Sequence, residues 1–293
     1  MLAQRVDQLW TTASKRVSHA DVEAFDGDAR FGMVSVNFST TRYLKLMLLT
    51  LCEQRDLGLI HRLVVVDNGS RDGGPEFLRS LAMKVPLLDI VGHRFILNHA
   101  RGLRSGARAL DRVGAADGHP PNLLLFCDSD VIFRDPATLT SLAQTASTGA
   151  ALIGEFRSGR NAPPDIQASF FVVRRDVYSR PDIAPIVNHG SPAAWLQQSI
   201  CAAGLPVVDF PSNHGGYILH RGRTGVAATT TYRPRHHYAT LQNNAPHFMN
   251  VSNGALIWNA VETRYAPLLT AEAEPDLVEM LSDRLSVLGT RAS

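Results

Sequence analysis

The run NLLLFCDSDVIFRDP, residues 122–136, decides how this chain is read. Five apolar residues, Leu123 to Cys127, lead directly into Asp128-Ser129-Asp130, and the apolar pattern resumes at Val131-Ile132-Phe133. A short continuous apolar run reads as a strand covered on both faces. A buried carboxylate without a partner is costly, so such groups end up paired or on a metal. Three arrangements meet that requirement: a solvent-facing turn, ion pairs with a basic side chain such as Arg134 or Arg101, or a bound cation.

Outward from this run the chain alternates. GMVSVNF (32–38) reads as a strand. STTRYLKLMLLTLCEQ (39–54) reads as a helix capped by Thr40 or Thr41, with Leu44, Met47, Leu48 and Leu51 on one face. HRLVVVDNGS (61–70) is a β-branched run stopped by turn residues. A helix over 73–84, a strand over 87–93 and an amphipathic helix over 97–114 come before the opening run. Beyond it, the pattern predicts a helix over 137–147, a strand over 151–156 and a strand running into a short helix over 167–178. A helix follows over 192–205, with Pro192 near its first turn and Gly204 at its end. PVVDF (206–210) and GGYILH (215–220) read as short strands. Residues 221–248, rich in Arg, His and Thr, have loop composition, and helices over 253–269 and 275–289 close the chain. Residues 1–30 read as a helical extension with Val6, Leu9, Trp10 and Val17 at helical spacing; whether it packs on the domain or on a second copy in a homodimer is left open. Alternating apolar strands and helices indicate an α/β fold with a mostly parallel sheet, whose ligands bind beyond the carboxyl ends of the strands. VVVDNGS and LLLFCDSD both fall at such ends.

Composition narrows the function. The 293 residues are 45% hydrophobic and 19% charged, as in an ordinary globular protein, and the formal net charge of +2 gives no footprint for nucleic acid. The three cysteines, Cys52, Cys127 and Cys201, have neither CxxC nor zinc spacing. They read as reduced core residues, which suits a cytoplasmic protein. No run reaches the roughly 18 apolar residues of a transmembrane helix, although a position peripheral to a membrane stays open.

The order strand, VVVDNGSRDG, helix NHARGLRSGARAL, then LLLFCDSD resembles the family 2 glycosyltransferases of the GT-A fold, over roughly residues 32–221. That resemblance implies a Rossmann-like, mostly parallel central sheet flanked by helices. It divides the chain into an N-terminal helical extension (1–30), a nucleotide-sugar-binding and catalytic domain (31–222) and a C-terminal loop and helical extension (223–293). The implied activity is metal-dependent transfer of a hexosyl group from a UDP, GDP or dTDP sugar to a carbohydrate or other hydroxyl acceptor. Mn2+ or Mg2+ suits it, since such cations need one or two carboxylates besides phosphate oxygens. By the same resemblance Asp130, Asp128 and His220 are the metal residues. Asp67, Asn68, Arg101, Arg104, Asp128, Ser129 and Arg221 are the nucleotide-sugar residues. His214, His236 and His237 compete with His220, and YRPRHHY (232–238) reads as a basic lid or a solvated loop. The glycines of the 97–114 helix, Gly102 and Gly106, serve either close approach to the nucleotide or close helix packing.

One departure bears on mechanism. Inverting members carry an acidic pair before the helix after the acceptor loop, whereas the matching stretch here, NHGSPAAWLQQSI (188–200), has no acid. His189, Asp165 and Glu155 are the candidate bases, inversion is expected from the family, and a retaining reaction is the alternative. Trp195 is read as a core tryptophan or a platform for an acceptor sugar. Two rivals remain. A sugar-nucleotide nucleotidyltransferase would want a glycine-rich loop after the first strand, which VNFSTTRYLK lacks. A non-catalytic member of the fold would bind nucleotide or carbohydrate without turnover.

Overall fold

A computed structural model describes residues 28–94, 97–117, 120–157, 165–188, 191–232, 234, 246–248 and 251–290. The extension expected over residues 1–30 lies, apart from its last three residues, outside the described residues. In chain order the first elements are β1 (Phe31–Asn37), α1 (Thr41–Leu51), β2 (Ile60–Asp67), α2 (Gly74–Ala82), β3 (Leu88–Gly92), α3 (His99–Asp117) and β4 (Leu123–Cys127). Next come β5 (Val131–Phe133), α4 (Thr138–Ser147), β6 (Leu152–Phe156), β7 (Ile166–Arg174), α5 (Arg175–Tyr178) and α6 (Ala194–Ala202). The last are β8 (Val207–Asp209), β9 (Ile218–His220), α7 (Thr224–Tyr232), α8 (Gly254–Tyr265) and α9 (Glu274–Leu285).

Seven strands form one sheet in the order β3-β2-β1-β4-β7-β6-β8, while β5 and β9 make a separate two-stranded ribbon. The β1–β2, β2–β3, β1–β4 and β6–β8 pairings are parallel, and β7 runs antiparallel to both β4 and β6. The expected α/β architecture with a mostly parallel, helix-flanked sheet is therefore present. Strand periodicity sorts the side chains. Met33, Leu63, Val65 and Leu125 face α1, α2 and α9. Val34, Val64, Val66 and Phe126 face α3 and α6.

Helix α1 is buried on nearly every side, not on the single face its spacing suggests, because α8 and α9 cover its outer surface. Trp258, Leu277 and Leu281 share one core with Leu44, Met47 and Leu51. Lys45, buried among them, pairs with Glu274 at 2.6 Å. The start of α1 is not capped by a threonine hydroxyl. Asp72 instead accepts from both the Thr41 amide and the Thr41 hydroxyl at 2.8 Å each, supplying acceptors for the orphan donors of a helix N-terminus. At the other end, Thr50 Oγ1 accepts from the Phe133 amide at 3.1 Å, and Gln54 Nε2 donates to the Asp135 carbonyl at 2.9 Å. These bonds fix the segment that follows the acidic turn.

A second correction concerns residues 224–232, which have loop composition but form α7. Thr229, Thr230 and Thr231 return their hydroxyls to carbonyls one turn back, at 2.7, 3.1 and 3.2 Å. The glycines of α3 serve helix-to-sheet contact: a Cβ at Gly102 would lie 3.1 Å from Val36, and one at Gly106 would fall well inside van der Waals contact distance of Val34 Cγ1. Gly106→Val is accordingly expected to overpack this interface and destabilise the fold by about 1–3 kcal/mol, read as a lowered urea midpoint with an unchanged slope.

Candidate functional site

Strand β1 has β2 on one side and β4 on the other, so crossovers leave it in both directions and a crevice opens at the carboxyl ends. A cavity of about 310 Å³ occupies that place. Val36, Phe38 and Thr40 after β1, Asn68 after β2, and Leu97 to His99 at the start of α3 form one wall. Asp128, Ser129 and Asp130 after β4 form its floor, and His220 with α7 forms the opposite wall.

Local bonding explains why the acidic turn can stand here. Asp128 continues the β4–β7 pairing through its amide to the Ser169 carbonyl at 2.8 Å, and Val131 N closes the turn on the Asp128 carbonyl at 3.2 Å. Ser129 Oγ lies 3.0 Å from Thr40 Oγ1, whose hydroxyl also reaches Asn37 Oδ1 at 2.8 Å, tying the ends of β1 and β4 together. The β5–β9 ribbon pairs Val131 with His220 and so carries that histidine to the turn. His220 Nε2 lies 3.2 Å from Asp130 Oδ1 and 3.6 Å from Asp128 Oδ2. One ligand atom from each of the three residues falls within 4.8 Å of the others. Two carboxylate oxygens and one imidazole nitrogen around a common point fit a hard divalent cation such as Mn2+, with room left for phosphate oxygens or water.

Charge dominates the electrostatics. Burial pushes the Asp130 carboxyl up, but the His220 imidazolium beside it, the Thr224 hydroxyl and the Arg221 charge together hold it at about 2. Burial pushes His220 down, yet Asp130 and then Asp128 outweigh it and its pKa is raised. His99 behaves alike: burial lowers it, and Asp128, whose Oδ1 is 3.1 Å from His99 Nε2, raises it above the ordinary value.

The other expected site residues are distributed as follows. Asn68 lines the cavity, but its amide is engaged at both ends by Leu97, donating to the carbonyl and accepting from the amide at 2.7 Å each. Asp67 is buried, accepts from the Ser70 amide at 3.3 Å and from Asn37 Nδ2 at 3.4 Å, and lies outside the cavity lining. Arg101 is exposed on α3, and Arg104 Nη1 donates to the Ile186 carbonyl at 2.9 Å. Arg221 stacks its guanidinium 4.8 Å from the Tyr43 ring centroid, and its amide donates to the Asp130 carbonyl at 3.0 Å. Glu155 is buried away from the cavity and committed to structure, accepting from Ser212 Oγ at 3.0 Å, from the Asn213 amide and from His214. Asn213 Oδ1 in turn accepts from the His220 amide at 2.9 Å, so Glu155 supports the histidine's position. Asp165 faces Arg157 at 3.4 Å. His214 pairs with Glu155, not with the acidic turn, and Trp195 is half-buried on α6. His189, His236, His237 and most of the 232–238 stretch lie outside the described residues. Arg223, which follows His220 and Arg221 and suits a diphosphate by that place in the sequence, lines the cavity. His99 and Thr224 join its wall without having been singled out for it, the one available signal being His99's place beside Asn98, whose Oδ1 caps α3 by accepting from the Arg101 amide at 2.9 Å.

The raised histidines and the depressed aspartate set the pH response of the metal-free protein. Asp130, with an ordinary value of 3.8 and a folded value of about 2, adds stability above roughly pH 4 that is lost as pH falls through about 2. His220 and His99 add stability below their ordinary value of 6.5 that is lost as pH rises through their raised values. In EDTA, the melting temperature is expected to fall as pH rises past 6.5, and His220→Gln should flatten that decline. A Mn2+ titration should show the opposite trend, with affinity rising with pH as the cation replaces the protons.

No protein-family model matches the chain, and no curated protein matches it in sequence. Among solved structures it is similar to the mannosyltransferase PcManGT from Pyrobaculum calidifontis in complex with GDP-Man and Mn2+, at 14% identity and a TM-score of 0.48, covering 100% of this chain and 85% of that one. It is also similar to glucosyl-3-phosphoglycerate synthase from Mycobacterium tuberculosis in complex with Mn2+, UDP and glucosyl-3-phosphoglycerate, at 17% identity and a TM-score of 0.46, covering 71% and 81%. A third is S. aureus TarS 1-349, at 12% identity and a TM-score of 0.45, covering 88% of each chain.

Proposed function

We propose that this chain is a metal-dependent glycosyltransferase that moves a hexosyl group from a nucleoside diphosphate sugar to an acceptor hydroxyl. The observation that carries the proposal is the Asp128, Asp130 and His220 triad at the switch point of a parallel sheet, on the floor of a cavity with one apolar end. A divalent cation bound there would offset the negative charge that grows on a departing diphosphate. Asp130 Oδ1, Asp128 Oδ2 and His220 Nε2 would hold it. Arg223, on the cavity wall, places a cation beside the same region, where it opposes charge on phosphate oxygens. Val36, Phe38 and Leu97 provide the apolar surface against which a nucleoside ring packs.

The proposal includes inversion at the anomeric carbon. One observation favours retention as a second reading: among the described residues, no carboxylate other than Asp128 and Asp130 lines the cavity. Under inversion the candidate bases are His189, Asp165 and Glu155, of which Glu155 is engaged by Ser212 and Asn213 and Asp165 faces Arg157. A nucleotidyltransferase reading receives no support from the segment after β1, where Phe38 to Thr40 pass straight into α1 without a glycine. No helix among the described residues is long and apolar enough to cross a membrane, and a cytoplasmic site of action remains part of the proposal, as does dimerisation through the N-terminal extension.

Thermal-shift measurements with UDP, GDP and dTDP sugars, with and without Mn2+, test the reading. One nucleotide class should stabilise the protein in a Mn2+-dependent way. Asp130→Asn should abolish that dependence and lower transfer or donor hydrolysis by about 10²-fold or more; an unchanged shift in the variant would remove the metal assignment. Tight nucleotide binding with neither transfer nor hydrolysis would favour the non-catalytic alternative. Proton NMR of the anomeric centre in product made from an α-linked donor decides stereochemistry: a β-linkage supports inversion, an α-linkage retention.

A further inference from the structure

Each acidic residue of the turn has one oxygen against a neighbouring side chain and the other toward His220. Asp130 Oδ2 accepts from Thr224 Oγ1 at 2.8 Å, which leaves Oδ1 facing His220 Nε2 at 3.2 Å. Asp128 Oδ1 lies in ion-pair contact with His99 Nε2 at 3.1 Å, without a directed hydrogen bond, and Oδ2 faces the same His220 nitrogen at 3.6 Å. A carboxylate engaged at one oxygen by a neutral or cationic donor is fixed in rotation about its last bond. Its remaining oxygen is then available in one direction only. The two open oxygens point to the same imidazole nitrogen.

The chain takes an uncommon route to place Thr224. Arg221 donates its amide to the Asp130 carbonyl at 3.0 Å. Gly222 and Arg223 then both adopt left-handed backbone, with φ of 72° and 67°, and the next residue is Thr224, 5% exposed at the first position of α7. A non-glycine residue in the left-handed region is strained and persists where its surroundings fix it. Here the turn lets residues 221–224 wrap around Asp130, bonding its backbone at one end and its side chain at the other. A side chain at Gly222 could not follow the same path, because a Cβ there would lie 2.8 Å from His247 Cβ.

We propose that Thr224 and His99 are positioning residues of the cation site, Thr224 locking one oxygen of Asp130 by a hydrogen bond and His99 drawing one oxygen of Asp128 by charge, so that Asp130 and Asp128 offer one oxygen apiece. The assignment rests on the cation site proposed above. It makes α7, which also walls the cavity through Gly225 and Val226, part of the metal centre: docking of this helix and capture of the cation are coupled through a single hydroxyl.

The test is a Mn2+ titration of the metal-free full-length protein without nucleotide, following the free aqueous Mn2+ signal by electron paramagnetic resonance. Partners of this kind set metal affinity by about 10- to 100-fold. Thr224→Val and His99→Leu should each weaken binding within that range. Thr224→Ser, which keeps the hydroxyl donor, should recover most of it. Thr230→Val, an exposed substitution on the same helix, should leave the affinity unchanged. Melting temperatures in EDTA accompany each titration, and Thr224→Ala replaces Thr224→Val if the latter does not fold. Wild-type affinity in Thr224→Val and His99→Leu, or failure of serine to rescue at an unchanged melting temperature, would overturn this assignment alone. Absence of saturable Mn2+ binding by the wild-type protein would overturn the metal reading itself, and this assignment with it.

Discussion

Two carboxylates at the end of a buried strand, sharing one imidazole between them, set the terms for this end of the molecule. Asp130 is 4% exposed and shares its side-chain environment with a second acid two residues away. Like charges so placed repel and cannot both ionise without compensation. The surrounding structure supplies that compensation from four directions. The β5–β9 ribbon brings His220, α7 brings Thr224, the start of α3 brings His99, and Arg221 adds positive charge while leaning on Tyr43 of α1. Behind His220, Asn213 and the buried Glu155 hold the loop that leads into β9. Remove the acidic pair and most of these contacts lose their reason.

The sheet determines why the pair sits where a ligand can reach it. Parallel strands β1, β2 and β4 end at the same level, and Asn37, Thr40 and Ser129 lace those ends together by hydrogen bonds. Each such bond contributes only about 1 kcal/mol, but leaving one of these buried groups unpaired would cost about 1–3 kcal/mol. The network therefore specifies one arrangement of the three loops more than it stabilises the fold. Asp72 extends the same logic by capping α1 from the loop after β2, which joins the first helix to the second strand's turn.

Much of this was legible before any coordinates. The apolar runs at 61–66 and 123–127 declared covered strands, and the acidic turns after them declared the ligand-binding edge. The sequence order also put His220 at the end of a short apolar strand, although its pairing with Val131 depends on a ribbon no local pattern announces. What stayed hidden was long-range. Thr224 and His99 acquire meaning only from Asp130 and Asp128, and their partners lie far away in the chain. Helix α7 was unreadable because TGVAATTTY is rich in β-branched threonine, which loses side-chain freedom in a helix, and it has no amphipathic stripe. Asp67 also sits at a strand end, and its oxygens accept from the Ser70 amide of the turn it starts and from Asn37 at the end of β1, contacts that no local spacing shows.

The account stands or falls on whether a cation binds between Asp128, Asp130 and His220 when a nucleotide is present. Crystals of the protein grown with Mn2+ and a nucleoside diphosphate, measured at a wavelength where manganese scatters anomalously, answer this directly. A single strong anomalous peak is expected within coordination distance of Asp130 Oδ1, Asp128 Oδ2 and His220 Nε2, with diphosphate oxygens completing the shell. A nucleotide bound in the cavity with no peak at the triad, or with the manganese held elsewhere, would contradict it.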